Sequence, residues 1–359
     1  MFNPGLKGVT AAETCLSQIN GEKGELYYRD QSVHDLVGRY SFEEISYFFI
    51  KGRFPDSNEL QSLKKVLIKE RSLSSEIKKW IDHLVKKQSI TAIIRSAVSF
   101  LDDSEDRWPI QTHEAYRLLA KLPTIVAYSY RKKMNLETVE PDHQLGHVEN
   151  FLYMLFAERK TKEEVQALET YMILTAEHGM NASTFSGRVV TSTQSDIYSG
   201  ITAAIGALKG PLHGGAPTGV LDYIDEVKQK SVEEVIKAKL ANGEKVMGFG
   251  HRVYKATDPR AEALKAMLLI IEPKPNWIDF TLKTEKETFQ WLSDLKPGRR
   301  LYANVEYYAA SLMKAIGIPS ELFTPIFCCS RIVGWTAHII EQSRNNTIFR
   351  PEAKYMGNK

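Results

Sequence analysis

Two histidines on glycine-bearing turns carry the strongest chemical signal in this chain. One lies in Lys209-Gly210-Pro211-Leu212-His213-Gly214-Gly215-Ala216-Pro217. The other lies in Gly248-Phe249-Gly250-His251-Arg252-Val253-Tyr254-Lys255-Ala256-Thr257-Asp258-Pro259-Arg260. Missing side chains at such turns let the backbone come close to a ligand. An imidazole there can reach a bound substrate, and its resting pKa suits proton traffic near neutral pH. A third block, Asn304-Val305-Glu306-Tyr307-Tyr308, sets a carboxylate among apolar neighbours. Two imidazoles and a carboxylate are the parts needed to take a proton from a carbon acid and hold the resulting enol.

Each residue also has a plainer reading. His213 is either a donor to a developing enolate or a histidine that satisfies a loop. His251 shares 13 positions with Arg252, Lys255 and Arg260, a set that suits carboxylates or phosphates as well as a solvated basic loop. His178, in Glu177-His178-Gly179-Met180-Asn181-Ala182-Ser183-Thr184, ends an apolar helix and by itself reads as structural. Glu306 is either a base with a raised pKa or a helix N-terminal acid favoured by the dipole. Arg260, Arg331 and Arg350 are together enough for a dicarboxylate, although each alone reads as a surface or helix-end arginine. No His-Glu-x-x-His, paired-cysteine or Gly-x-x-x-x-Gly-Lys run occurs, so neither metal nor nucleoside-triphosphate chemistry has support.

The elements that must carry these residues read as mainly α, with a little β at the N-terminus. Glu25-Leu26-Tyr27-Tyr28 suits a strand. Ser41-Phe42-Glu43-Glu44, Thr161-Lys162-Glu163-Glu164 and Ser231-Val232-Glu233-Glu234 have the capping-box form that starts a helix. Pro55-Asp56 opens another helix, over 58–71. Residues 168–176 read as a buried helix, 199–209 as a small-residue helix for close packing, and 309–316 and 332–340 as further helices. Residues 140–147 and 272–276 read as connections.

The chain has 359 residues, enough for two or three units, with 43% hydrophobic and 25% charged residues. A net charge of +3 makes no general case for nucleic acid or an anionic membrane. Cys15, Cys328 and Cys329 are odd in number and two are adjacent, so they read as reduced thiols in a cytoplasmic protein. The first eight residues do not look like a signal peptide. No apolar run is expected to approach the roughly 18 residues that span a bilayer, the longest cluster being 266–271.

Together these blocks closely resemble the citrate synthase family. The resemblance rests on the run from Gly248 to Arg260 and on Gly-Pro-Leu-His-Gly-Gly-Ala, Glu-His-Gly-Met-Asn-Ala-Ser-Thr, Asn-Val-Glu-Tyr-Tyr, Ser-Arg-Ile-Val-Gly-Trp and Phe-Arg-Pro. It spans nearly the whole chain. It implies a two-domain helical fold, with a large domain of 1–214 plus 317–359 and a small one of 215–316. It further implies condensation of acetyl-CoA with oxaloacetate, then hydrolysis to citrate and coenzyme A. His213 matches the histidine on the thioester carbonyl, and His251 the one that polarises the ketone. His178, Arg260, Arg331 and Arg350 match ligands of oxaloacetate. Beside these, Lys245, Arg252 and Lys255 are the partners expected for coenzyme A phosphates. The resemblance implies no permanently bound cofactor, only acetyl-CoA or CoA as co-substrate, and a homodimer in which Arg350 reaches the neighbour's site. Glu306 stands where the family has aspartate, and an arginine–aspartate pair at 29–30 stands where a glycine usually follows the arginine. The competing readings are 2-methylcitrate synthase using propionyl-CoA, a ligand-binding homologue without turnover and, more distantly, a nicotinamide dehydrogenase.

Overall fold

A computed structural model describes residues 2–102, 108–214 and 216–357. Sixteen α-helices, two 3-10 turns (Pro4–Leu6 and Ser320–Leu322) and one three-stranded sheet make up the regular structure among them. The sheet is antiparallel, in the order β1 (Ser17–Asn20), β2 (Glu25–Tyr28), β3 (Gln31–Ser32). Residues 21–24 form the β1–β2 turn, with Asn20 opposite Glu25.

The three expected capping boxes all form. Ser41, Thr161 and Ser231 each accept the backbone N–H of a glutamate three residues on, whose side chain returns to the cap. Each satisfies donors that a helix start otherwise leaves open. Asp56 does the same for Ser57–Glu70. The small residues of Ile197–Leu208 bring it against Ala182–Thr191, where a methyl on Gly200 would meet Thr191 Oγ1 at 3.0 Å and Ile339 Cδ1 at 2.9 Å.

The long helix Phe323–Arg344 corrects one expectation. With the 3-10 turn before it, Ser320–Arg344 is long and apolar enough to cross a membrane by length and composition, although no unbroken apolar run marks it. Its most apolar 18-residue window is 89% buried inside the protein, as a core helix is. It packs on Phe42–Lys51, Thr112–Lys133, Lys162–Thr175 and Ala182–Thr191. Gly334 lets the chain at 176–177 lie against it, because a methyl there would stand 2.4 Å from the Ala176 carbonyl.

The helices Ala216–Gln229, Val232–Ala241, Pro259–Leu269, Trp277–Leu295 and Val305–Ala315 pack largely on one another. Pro259–Leu269 and Val305–Ala315 also meet Lys162–Thr175, the helix that leads to His178. Gly215, where the expected small domain begins, lies outside the described residues.

Candidate active site

His213 sits on a turn that follows Ile197–Leu208, with its N–H donating to the Gly210 carbonyl at 3.0 Å. Gly214 must be glycine, since a Cβ would lie 2.3 Å from the Leu208 carbonyl oxygen. His213 Nε2 is 2.8 Å from Ser183 Oγ. That hydroxyl also accepts the Trp335 indole N–H at 3.0 Å and lies 2.7 Å from Asn181 Oδ1. Serine has one proton, for either Asn181 or His213. If His213 receives it, a neutral ring carries its own proton on Nδ1.

His251 is held more tightly. Its Nδ1 accepts N–H groups from Val253 at 3.0 Å and Tyr254 at 3.1 Å. Its one proton as a neutral ring is therefore on Nε2, which lies 3.5 Å from Arg260 Nη2. Both nitrogens are donors, so they do not bond each other, and a substrate oxygen would satisfy both. Gly248 and Gly250 have φ of +84° and +78°, a region that favours glycine. They let 248–250 run alongside 302–304, with the Gly250 N–H donating to the Tyr302 carbonyl at 2.8 Å. This extended pairing lies beyond the N-terminal stretch to which the sequence confines β signals.

Asp258 and Asn304 join the pieces. Asp258 caps Pro259–Leu269, pairs with Arg260 through Nε at 3.0 Å and Nη2 at 2.8 Å, and accepts the Val305 N–H at 3.2 Å. Asn304 accepts the Glu306 N–H at 3.0 Å, and its amide donates to the Gly250 carbonyl at 2.8 Å. Neither was singled out as a site residue. Their sequence signals are helix-cap signals, an aspartate before proline and an asparagine before an apolar run.

His178 follows Lys162–Thr175, with Nε2 3.0 Å from the Tyr254 hydroxyl. Its ring stands edge-on to His251, with centroids 5.4 Å apart. Arg331 is buried in Phe323–Arg344, and its Nε donates to the Thr175 carbonyl at 2.6 Å.

One electrostatic field covers the group. Loss of hydration pushes the half-buried Glu306 carboxyl up to about 7, opposed by Arg260, reinforced by Asp258 and opposed again by Arg331. Burial lowers His213 and His251 to about 4, helped by Arg331 in the first and Arg260 in the second. Burial also lowers His178, and Arg260, His251 and Arg331 push the same way. The three rings are therefore neutral at pH 7. Burial opposes the charge on Arg260, but Asp258 outweighs it and raises the pKa. A raised carboxylate alone does not mark a site. Glu169 also rises to about 7 by burial, yet it accepts the Phe42 N–H at 2.9 Å in a structural role.

Four expected residues stand apart from this group. Arg252 and Lys245 are exposed. Lys255 is exposed and pairs with Glu22 on the β1–β2 turn. Arg350 is exposed in a groove of about 560 Å³ that also involves residues 11–15, Arg188 and Glu341. Among the described residues, no group of three or more His, Cys, Asp or Glu side chains is arranged to hold a metal ion.

The family model described as citrate synthase, C-terminal domain, matches residues 5–352. The chain is 43% identical to citrate synthase 2 of Bacillus subtilis, covering 98% of this chain and 95% of that one. It is 38% identical to the 2-methylcitrate synthase of Mycobacterium tuberculosis, covering 99% and 90%. The solved structure of Thermoplasma acidophilum citrate synthase with carboxymethyl coenzyme A and oxaloacetate superposes with a TM-score of 0.92 at 34% identity, covering 100% and 97%.

Proposed function

Since the chain belongs to the citrate synthase family, we propose that it condenses acetyl-CoA with oxaloacetate and hydrolyses the citryl thioester to citrate and coenzyme A. The observation that carries this is the pair of donors, His251 Nε2 and Arg260 Nη2, beside a carboxylate poised near 7.

Glu306 removes a proton from the acetyl methyl, and the C–H electrons become the enol double bond. His213 donates to the thioester oxygen as charge gathers there. Its Nε2 faces Ser183, so the donor is Nδ1–H, and Ser183 turns its proton from Asn181 to His213. The enol carbon attacks the ketone carbon of oxaloacetate, whose oxygen takes up negative charge against His251 Nε2–H. Arg260, Arg331 and His178 hold the carboxylates and hydroxyl. Water then adds to the thioester carbon, the C–S bond breaks, a water proton goes to the departing sulfur, and the proton held by Glu306 completes the citryl hydroxyl and restores the base.

The proposed large domain is 1–214 with 317–359, the small one 215–316, and the site lies where they meet. The exposed Arg350 serves the partner's site in a homodimer, while Lys245, Arg252 and Lys255 face coenzyme A phosphates. The cytoplasm is the proposed location, in keeping with three free thiols. No permanently bound cofactor enters the scheme.

Thiol release with oxaloacetate and each acyl donor tests this reading. Faster turnover of acetyl-CoA is expected. Faster turnover of propionyl-CoA makes the protein a 2-methylcitrate synthase, the name that several relatives carry. Binding without release makes it a homologue that has lost chemistry.

The base must be ionised to act. kcat/KM should therefore fall tenfold per unit as pH drops below about 7 and level off above it. A pH–rate profile with no acid limb near 7 would remove Glu306 as the base. The imidazoles, lowered by burial, do not titrate in that range.

A further inference from the structure

The β1–β2 turn meets the loop that carries His251. The Gly21 carbonyl accepts the Lys255 N–H at 2.9 Å. A methyl on Gly21 would lie 2.2 Å from the Val253 carbonyl oxygen, and one on Gly24 would lie 2.5 Å from that of Thr257. Glu22 adds an ion pair to Lys255, with both side chains more than 70% exposed. The loop residues in this contact are also the ones that set the histidine. Val253 and Tyr254 direct their N–H groups at His251 Nδ1, and the Tyr254 hydroxyl reaches His178.

We propose that the turn at 21–24 is a positioning element for His251, and that Gly21 is its key residue. The turn fixes the backbone of 253–255 from outside, and that backbone fixes the imidazole from inside. The proton is thereby held on Nε2, beside Arg260. Glycine is required at 21 by the approach of another chain segment and not by its own conformation, because its φ is not positive. Gly24 has a φ of +71°, so alanine there would be strained anyway. Gly21→Ala is therefore a clean steric probe of the contact.

This inference rests on the role proposed for His251. A displacement of about 1 Å at a reacting group can lower rate about 100-fold. Gly21→Ala should raise the oxaloacetate KM at least tenfold and lower kcat, while the acetyl-CoA KM rises by a clearly smaller factor, because of the proposed phosphate partners only Lys255 lies on the displaced backbone. Glu22→Gln should change neither KM by more than about twofold, because exposed ion pairs contribute little. Hydrogen exchange should show a protected Lys255 amide in the wild type and faster exchange in Gly21→Ala. A variant with wild-type kinetics, or with both KM values raised equally, would overturn the proposal. If Gly21→Ala does not fold, the wild-type Lys255 amide decides: protection supports the contact and free exchange refutes it. A wild type that releases no thiol would instead refute the condensation reading.

Discussion

Glu306→Gln should lower kcat by about a thousandfold, the middle of the range for loss of a general base. The amide keeps the shape and cannot take a proton. The fold tolerates the change because the anchor at this position is the Glu306 backbone N–H on Asn304, not the side chain. Stability should move the other way. The Glu306 carboxyl is raised to about 7 in the fold, above its ordinary 4.5, so the unfolded chain releases its proton first. Its contribution to stability is whole below 4.5 and is lost as pH rises through 7. At pH 8 the glutamine variant escapes that loss and should melt no lower than the wild type. A fall in both rate and melting temperature would mark Glu306 as structural. Glu306→Asp is the companion. Aspartate is the family's residue, and a shift of about 1 Å is worth up to about 100-fold, so a faster enzyme is expected. A slower one would mean that the site is shaped around the longer side chain.

His251→Ala should lower kcat by about 100- to 1000-fold, the usual loss when one preorganised donor to a developing oxyanion is removed. The oxaloacetate KM should rise as well. Val253 and Tyr254 lose the acceptor for their N–H groups, and the loop loses its inner anchor. Acetyl-CoA binding should hold. Isothermal titration with each substrate, beside steady-state kinetics, separates these effects. Unchanged kcat with weaker oxaloacetate binding would confine His251 to holding substrate.

Much of this site was legible in the order of residues. Histidines next to glycines, and a carboxylate after Asn304, are visible because their types are rare and their turns need glycine. Capping boxes were equally legible, since the code for a helix start is local. What escaped is what folding brings together. Ser183, Tyr254 and Asp258 act through partners 30, 76 and 47 positions away. Phe323–Arg344 was recognised only in part because cysteine, serine, threonine and glycine interrupt its apolar face. By sequence Glu306 reads as either a base or a helix-start acid. It lies in the first turn of Val305–Ala315, which fits the second reading, and burial raises its pKa, which suits the base proposed above.

The bond from the Trp335 indole to Ser183 has an optical consequence. The other four tryptophans lie at the partly buried margin of the core, whereas Trp335 is enclosed, one hydroxyl away from His213. If Ser183 turns its proton as proposed, the field on that indole changes and its emission should shift. An intrinsic dye thus stands beside the proposed thioester site, and arrival of the acyl group there should be readable by light alone.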